Sequence, residues 1–248
     1  MAHDKLRTFH LFAGAGGGIL ADLLLGHIPV GACEIEEYPR KVLLQRQRDG
    51  ILPMFPIWDD IRTLDGKPWR GLVDVVCGGF PCQDISAAGK GAGIEGGRSG
   101  LWSEMARVVR EIRPRFVFVE NSPLLVGRGL AVVLGDLAKT GYDARWCVLG
   151  GSDVDAPSNG ERLWVFASSI GIGLENNRDG SCCKKIYRAE SWPDSFTSIS
   201  PEKWLLATAS ATFRGGDGVA NRVDRFKAIG NGQVPQVAAL AWTTLAER

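Results

Sequence analysis

Apolar and polar positions along this 248-residue chain follow two alternating periods. Short β-branched or aromatic runs recur at 6–12, 30–33, 72–76, 116–119, 143–149 and 162–167, and each reads as a strand. Between them, apolar residues three and four apart predict helices over 19–25, 38–47, 101–112 and 124–140, with a last one over 236–247. Leu101, Met105, Val108, Val109 and Ile112 form the plainest such stripe, and Arg113-Pro114 ends it. Polar Thr8 and His10 interrupt the first strand, and 150–160 reads as a turn. Strands alternating with helices predict an α/β fold, a mostly parallel sheet flanked by helices.

The strands end on distinctive residues. The first runs into Phe12-Ala13-Gly14-Ala15-Gly16-Gly17-Gly18, then a helix, which is the opening of a nucleotide-binding βα unit. Tight βα connections also use glycine for structural reasons alone. The second ends in Glu34, placed as a ribose-hydroxyl acceptor or as a solvated charge before the next helix. Asp60 ends the short run 56–61, either against the polar edge of an adenine-like base or as a capping residue. The strand at 72–76 leads to Cys77-Gly78-Gly79-Phe80-Pro81-Cys82-Gln83, which holds Cys82 at the tip of a turn. A Gly-Gly pair lets backbone approach a ligand, and Pro81 stiffens the residue before the thiol. Read alone, Cys82 is as well explained as a small buried apolar residue. The fourth helix is preceded by a strand ending in Glu120-Asn121-Ser122-Pro123.

Composition narrows the classes. With 29 basic and 28 acidic residues the formal charge is +1, so no global basic field marks a nucleic-acid protein, although a local basic face is compatible with it. No apolar run is long enough to span a bilayer, and the N-terminus lacks a signal-peptide pattern. Six scattered cysteines lack both a disulfide framework and metal-ligand spacing, which fits a reducing cytoplasm and no metal. Three regions are expected: a catalytic domain over 1–167, a small recognition region over 168–221, and a C-terminal segment over 222–248 that returns to the catalytic domain. The middle region loses long apolar periodicity and gathers Arg178, Lys184, Lys185 and Arg188. The glycine-rich stretch 86–100, with Ser86, Lys90 and Arg98, suits an active-site lid or a phosphate-contacting loop.

Taken in order, these motifs resemble the DNA cytosine-5 methyltransferase family over nearly the whole chain. Phe12 to Gly17 resembles its methyl-donor loop, and Glu34 and Asp60 its cofactor ribose and adenine acids. Gly79-Phe80-Pro81-Cys82-Gln83 matches the nucleophile motif and Glu120-Asn121 the catalytic acid motif. Gly230-Asn231 with Val234-Pro235 resembles the last motif, which completes the cofactor pocket. The resemblance implies a Rossmann-like methyltransferase fold and S-adenosylmethionine as donor, giving S-adenosylhomocysteine. It implies catalytic Cys82, Glu120, Arg162, Pro81 and Asn121, and places Ile35, Ile61, Gly79, Leu101, Asn231 and Val234 at the cofactor. Gln83, Ser86, Lys90, Arg98, Lys184, Lys185, Arg188 and Arg225 would meet nucleic acid. The implied partner is double-stranded DNA, with a cognate restriction endonuclease. A compact, phage-like monomer, with no membrane association, in a bacterial or phage-infected cytoplasm, is expected.

The chemistry needs these residue types. Carbon 5 of cytosine is a poor nucleophile until a thiolate adds at carbon 6, and Glu120 at ring nitrogen 3 would offset the developing charge. Departures from the family pattern are specific. Ser158-Asn159-Gly160-Glu161-Arg162 keeps only the final arginine of a Gln-x-Arg-x-Arg segment, so Gly160 removes a phosphate contact or anchor. His10 stands where aspartate is usual, and Ser122 where valine is. Three other readings stay open: the related transfer-RNA cytosine methyltransferases, a non-catalytic DNA- and donor-binding relative, and a thiol hydrolase. The last lacks an obvious partner among His3, His10 and His27.

Overall fold

A computed structural model describes residues 5–81, 100–156, 160–169 and 232–246. Seven strands form one sheet: β1 (Arg7–Leu11), β2 (Ile28–Cys33), β3 (Ile57–Trp58), β4 (Val75–Gly78), β5 (Phe116–Asn121), β6 (Tyr142–Leu149) and β7 (Arg162–Ser169), in the order β3-β2-β1-β4-β5-β7-β6. The first five run parallel, and β7 is antiparallel to both β5 and β6. The α-helices of the described chain are α1 (Gly17–Leu25), α2 (Glu37–Arg48), α3 (Gly100–Ile112), α4 (Leu125–Arg128), α5 (Leu130–Lys139) and α6 (Pro235–Ala246). None is long and apolar enough to cross a membrane.

Alternation along the strands sorts the two faces of the sheet. Val76 of β4, Val117 and Val119 of β5, and Val165 of β7 pack with Met105, Val108 and Ile112 of α3 and Val133 of α5. The intervening residues Val75, Cys77, Phe118, Trp164 and Phe166 face α6 instead, where Trp242 meets Phe116, Phe118 and Phe166 edge-on. Phe118 and Trp164 stack at 5.4 Å between ring centroids. Such aromatic pairs add about 1 kcal/mol each beyond burial.

The same period of two explains the polar interruption of β1. Phe9 and Leu11 enter the core on one face, whereas Thr8 and His10 both turn to the face covered by α1. There Asp22 of α1 accepts from the Thr8 hydroxyl and lies 2.5 Å from His10 Nε2, all three buried.

Three of the differences between the observed elements and the sequence pattern have a local cause. The helix expected over 124–140 is two helices, because Gly129 at φ −177° leaves the helical region. The strand expected over 72–76 begins only at Val75, since Leu72 is exposed and lies in a turn. The turn over 150–160 includes a short 3₁₀ segment, Gly151–Val154, whose Asp153 side chain accepts from the Gly150 N–H at 2.8 Å.

Candidate active site

Strand order reverses between β1 and β4, with β2 and β3 to one side and β5, β7 and β6 to the other. In parallel α/β sheets a crevice opens outside the carboxyl ends of strands at such a switch point. The loops that leave β1 and β4 there are 12–16 and the one whose described residues are 79–81.

The β1 loop is built on unusual backbone conformations. Phe12 (φ 55°), Gly14 (φ 53°) and Gly16 (φ 91°) are left-handed. For Phe12, with a Cβ, this costs on the order of 1 kcal/mol or more. Glu34 holds the loop in place: its carboxylate accepts from Gly14 N–H at 2.7 Å and from Glu36 N–H at 2.8 Å. Glu34 is buried, so it is not the solvated charge that its sequence position also allowed. Any side chain at Gly14 would point into open space, and neighbouring Ala13 and Ala15 are half-buried. Beside Glu34, Ile35 is 57% exposed, an apolar side chain left uncovered at the carboxyl edge.

Asp60 caps the 3₁₀ turn Ile61–Thr63, accepting from Arg62 N–H at 3.0 Å and pairing with the Arg62 guanidinium. That contact holds its carboxyl below the usual range. Ile61 packs into the core, while Leu101 and Val234 are partly buried against the two sides of the sheet.

Three strand ends meet beside the β4 loop. Phe80 is buried and packs against Trp102, anchoring the turn, and leaves Pro81 exposed. Asn121 is also buried, donating from Nδ2 to the Phe80 carbonyl at 3.1 Å and tying β5 to that turn. Glu120 lies over Gly79, where any Cβ would overlap its Oε2. Because β7 runs antiparallel to β5, its first residue arrives at the same edge. Glu120 pairs in register with Trp164, and Arg162, two residues earlier on the same face, reaches Glu120 Oε1 with Nε at 3.1 Å.

Burial pushes the Glu120 carboxyl up to about 7, with the Arg162 charge and a Gln233 hydrogen bond acting in the opposite direction. It therefore changes protonation close to neutral pH, as an acid that must give and regain a proton there should. Burial moves two cysteines the other way from reactivity. Cys33 is pushed up to about 12 and Cys77, deep in the sheet near Asp22, well above its ordinary value. Both remain thiols at neutral pH.

Cys82, Gln83, Ser86, Lys90, Arg98, Lys184, Lys185, Arg188, Arg225 and Asn231 lie outside the described residues, as does nearly all of 168–221. Gly160 is described and exposed.

Two features had no assigned role in the sequence. Gln233, inside the Gly230-Asn231-Gly232-Gln233-Val234-Pro235 motif, sits against Gly17, Gly18 and Gly79. The second is the buried Thr8–His10–Asp22 group. The donor atoms of His10, Asp22 and Cys77 lie within 4.8 Å of one another, but Asp22 is already engaged by Thr8 and His10.

The family model for C-5 cytosine-specific DNA methylase matches residues 6–203. The Escherichia coli Type II methyltransferase M.Eco47II is 36% identical over 212 residues, covering 80% of this chain and 45% of that protein. Type II methyltransferase M.HhaI of Haemophilus parahaemolyticus is 32% identical over 175 residues, covering 69% and 51%. The chain thus spans about half the length of these curated relatives. A crystal structure of a Spodoptera frugiperda DNMT2 mutant superposes with a TM-score of 0.57 at 17% identity, covering 71% of this chain and 54% of that one. At that identity the likeness is one of fold.

Proposed function

The chain belongs to the C-5 cytosine-specific DNA methylase family, and from that premise we propose that it methylates carbon 5 of a cytosine extruded from duplex DNA. The observation that carries the reading is Glu120: a nearly buried carboxyl, held near neutral titration, at the sheet edge that the Gly79-Phe80-Pro81 turn shares with Arg162. Relatives named Type II methyltransferases support it.

The residues divide the work as follows. Cys82, next after Pro81, adds its thiolate to carbon 6 of the base. Protonated Glu120 donates to ring nitrogen 3 as charge develops there, and Arg162 steadies the resulting carboxylate. Asn121 fixes the Phe80 carbonyl and so the turn that presents the thiol. After carbon 5 has gained its methyl group, loss of its proton to a base and expulsion of the Cys82 sulfur restore the aromatic ring. Extrusion is required because carbon 6 is inaccessible in a stacked duplex.

The donor site is the β1 crevice. S-adenosylmethionine, when bound, supplies a methyl group from its sulfonium. The residues present fit it: open space above Gly14, a buried carboxylate at Glu34, uncovered Ile35 and nearby Asp60. Double-stranded DNA is the substrate in this reading, with Lys184, Lys185 and Arg188 as phosphate contacts and a cognate restriction endonuclease as partner. The enzyme acts as a monomer in the cytoplasm.

A duplex carrying 5-fluorocytosine tests the covalent step. Fluorine cannot leave carbon 5 as a proton does, so the adduct should persist through denaturing electrophoresis with donor present. No adduct with wild type, or the same adduct with Cys82→Ser, would count against the mechanism.

A further inference from the structure

The glycine run after β1 has a second purpose, visible only once the C-terminal segment is in place. A Cβ at Gly17 would overlap the Gln233 carbonyl, and one at Gly18 would come to 2.5 Å from Gln233 Oε1 and 3.3 Å from His10 Nδ1. Neither glycine has positive φ, so their backbone does not require glycine; the approaching chain does. On its other side, the Gln233 amide borders Gly79, whose Cβ would lie 3.4 Å from Nε2 and would also overlap Glu120. Two glycines at the start of α1 and one in the β4 loop therefore line the slot that holds one carboxamide.

Within that slot the orientation of the amide follows from its neighbours. Glu120 as a carboxylate only accepts, so Nε2 donates to it, consistent with the hydrogen bond between the two side chains. Oε1 is then left facing Gly18 and His10 Nδ1. His10 has its Nε2 committed to Asp22 at 2.5 Å, which fixes the ring and aims Nδ1 at the same gap.

We propose that Gln233 is a positioning residue for Glu120: clamped between Gly17, Gly18 and the His10–Asp22 pair, its amide fixes where the carboxyl points and stabilises its ionised form. The proposal rests on Glu120 being the acid of the reaction, but its physical content does not depend on turnover. Among the described residues, the groups that face Glu120 come from three sides. Arg162 comes from β7, Gln233 from the segment before α6, and His10 with Asp22 stand beyond Gly18 on β1 and α1.

The role explains why a C-terminal segment returns to the sheet. It brings to Glu120 an amide donor from the far end of the chain, while Asn121 donates to the Phe80 carbonyl and Gly79 has no side chain. A neutral donor suits a carboxyl that must exchange its proton. A second cation there would bind the ionised form more strongly and lower its readiness to hold a proton.

The test is a carboxyl-carbon NMR titration of the full chain labelled on glutamate side chains, with Glu120→Gln assigning the resonance. Gln233→Met keeps length and removes the donor, and Gly18→Ala leaves Gln233 present but pushes on its Oε1. Loss of one hydrogen bond to a charged group should move the Glu120 midpoint up by roughly one pH unit in Gln233→Met. Gly18→Ala should move it in the same direction, and Gly18→Ala/Gln233→Met no further than Gln233→Met alone. A merely structural role would lower thermal stability without moving that midpoint. Should Gln233→Met not fold, Gly18→Ala, an ordinary helix-compatible change, carries the test. A Glu120 midpoint unchanged in the folded variants overturns the proposal. A shifted midpoint in a protein that methylates no cytosine would support the Gln233–Glu120 coupling and count against the proposed function instead.

Discussion

Arg162 Nε stands 3.1 Å from Glu120 Oε1, and the pair exists because β7 runs against β5. Had β7 been parallel, its first residue would lie at the opposite edge of the sheet. The arginine side chain is 31% exposed and the glutamate 12%, so one partner is anchored in the protein while the other opens toward solvent. Removing Arg162 deletes the charge that opposes burial at Glu120. Arg162→Ala is expected to push the Glu120 carboxyl above 7 and to lower the rate of methyl transfer roughly 100-fold, as loss of one well-placed electrostatic contact does. Arg162→Lys should recover part of it. Single-turnover rates at saturating donor and DNA measure both.

Glu120 also gives stability a characteristic pH dependence. Its carboxyl is raised in the folded protein to about 7, against an ordinary value of 4.5. The folded state therefore holds the proton more tightly than the unfolded chain. Its contribution is complete below about 4.5 and is lost as pH rises to about 7. On this basis Glu120 alone removes up to about 3 kcal/mol of stability between those limits. Glu120→Gln should flatten that fall. Urea denaturation at pH 5 and pH 8 checks it: the wild-type stability should drop more than that of the variant.

Asp22 has the opposite sign. Burial pushes its carboxyl up, but His10, His27 and Thr8 together more than offset that and hold it below the usual range. This contribution is present above the ordinary carboxylate range and is lost as pH falls from there through the lower folded value. Asp22→Asn removes the charge while leaving His10 buried, so it should destabilise the protein by roughly 3 kcal/mol at neutral pH. Equilibrium denaturation measures the loss, which should shrink toward low pH.

Gly17→Ala tests the docking of the C-terminal segment. The new methyl would overlap the Gln233 carbonyl, a backbone atom that cannot rotate away. Alanine favours helix α1 by about 1 kcal/mol over glycine, so local propensity predicts a gain. Overpacking predicts a loss of about 1–3 kcal/mol, concentrated in α6. Amide hydrogen exchange should accelerate in Pro235–Ala246, whose packing on α1 and the sheet depends on that approach.

What the sequence disclosed, and what it did not, divides along range of interaction. The alternation of strands and helices, the glycine turn, and Glu34 and Glu120 at strand ends depend on local pattern, and the structure places all of them at one edge. The break at Gly129 was hidden because the apolar stripe of 124–140 continues through it. Thr8 and His10 read as interruptions because their partner, Asp22, lies on the next helix, where nothing in the spacing ties it to the strand. Gly17 and Gly18 read as part of a glycine turn serving a ligand or a tight local connection, whereas the constraint on them comes from Gln233 at the far end of the chain. A contact between such distant segments leaves no period to read. Gln233 was legible only as part of its motif, and its meeting with Glu120 required the folded sheet.

The most direct measurement is methyl transfer from radiolabelled S-adenosylmethionine into mixed-sequence duplex DNA and into transfer RNA, with wild type and Cys82→Ser in parallel and nucleoside analysis of the product. Labelled 5-methyldeoxycytidine from wild type, absent with Cys82→Ser, is the predicted result. Label confined to transfer RNA, or no label in either substrate from a protein that binds the donor, would contradict the proposed function.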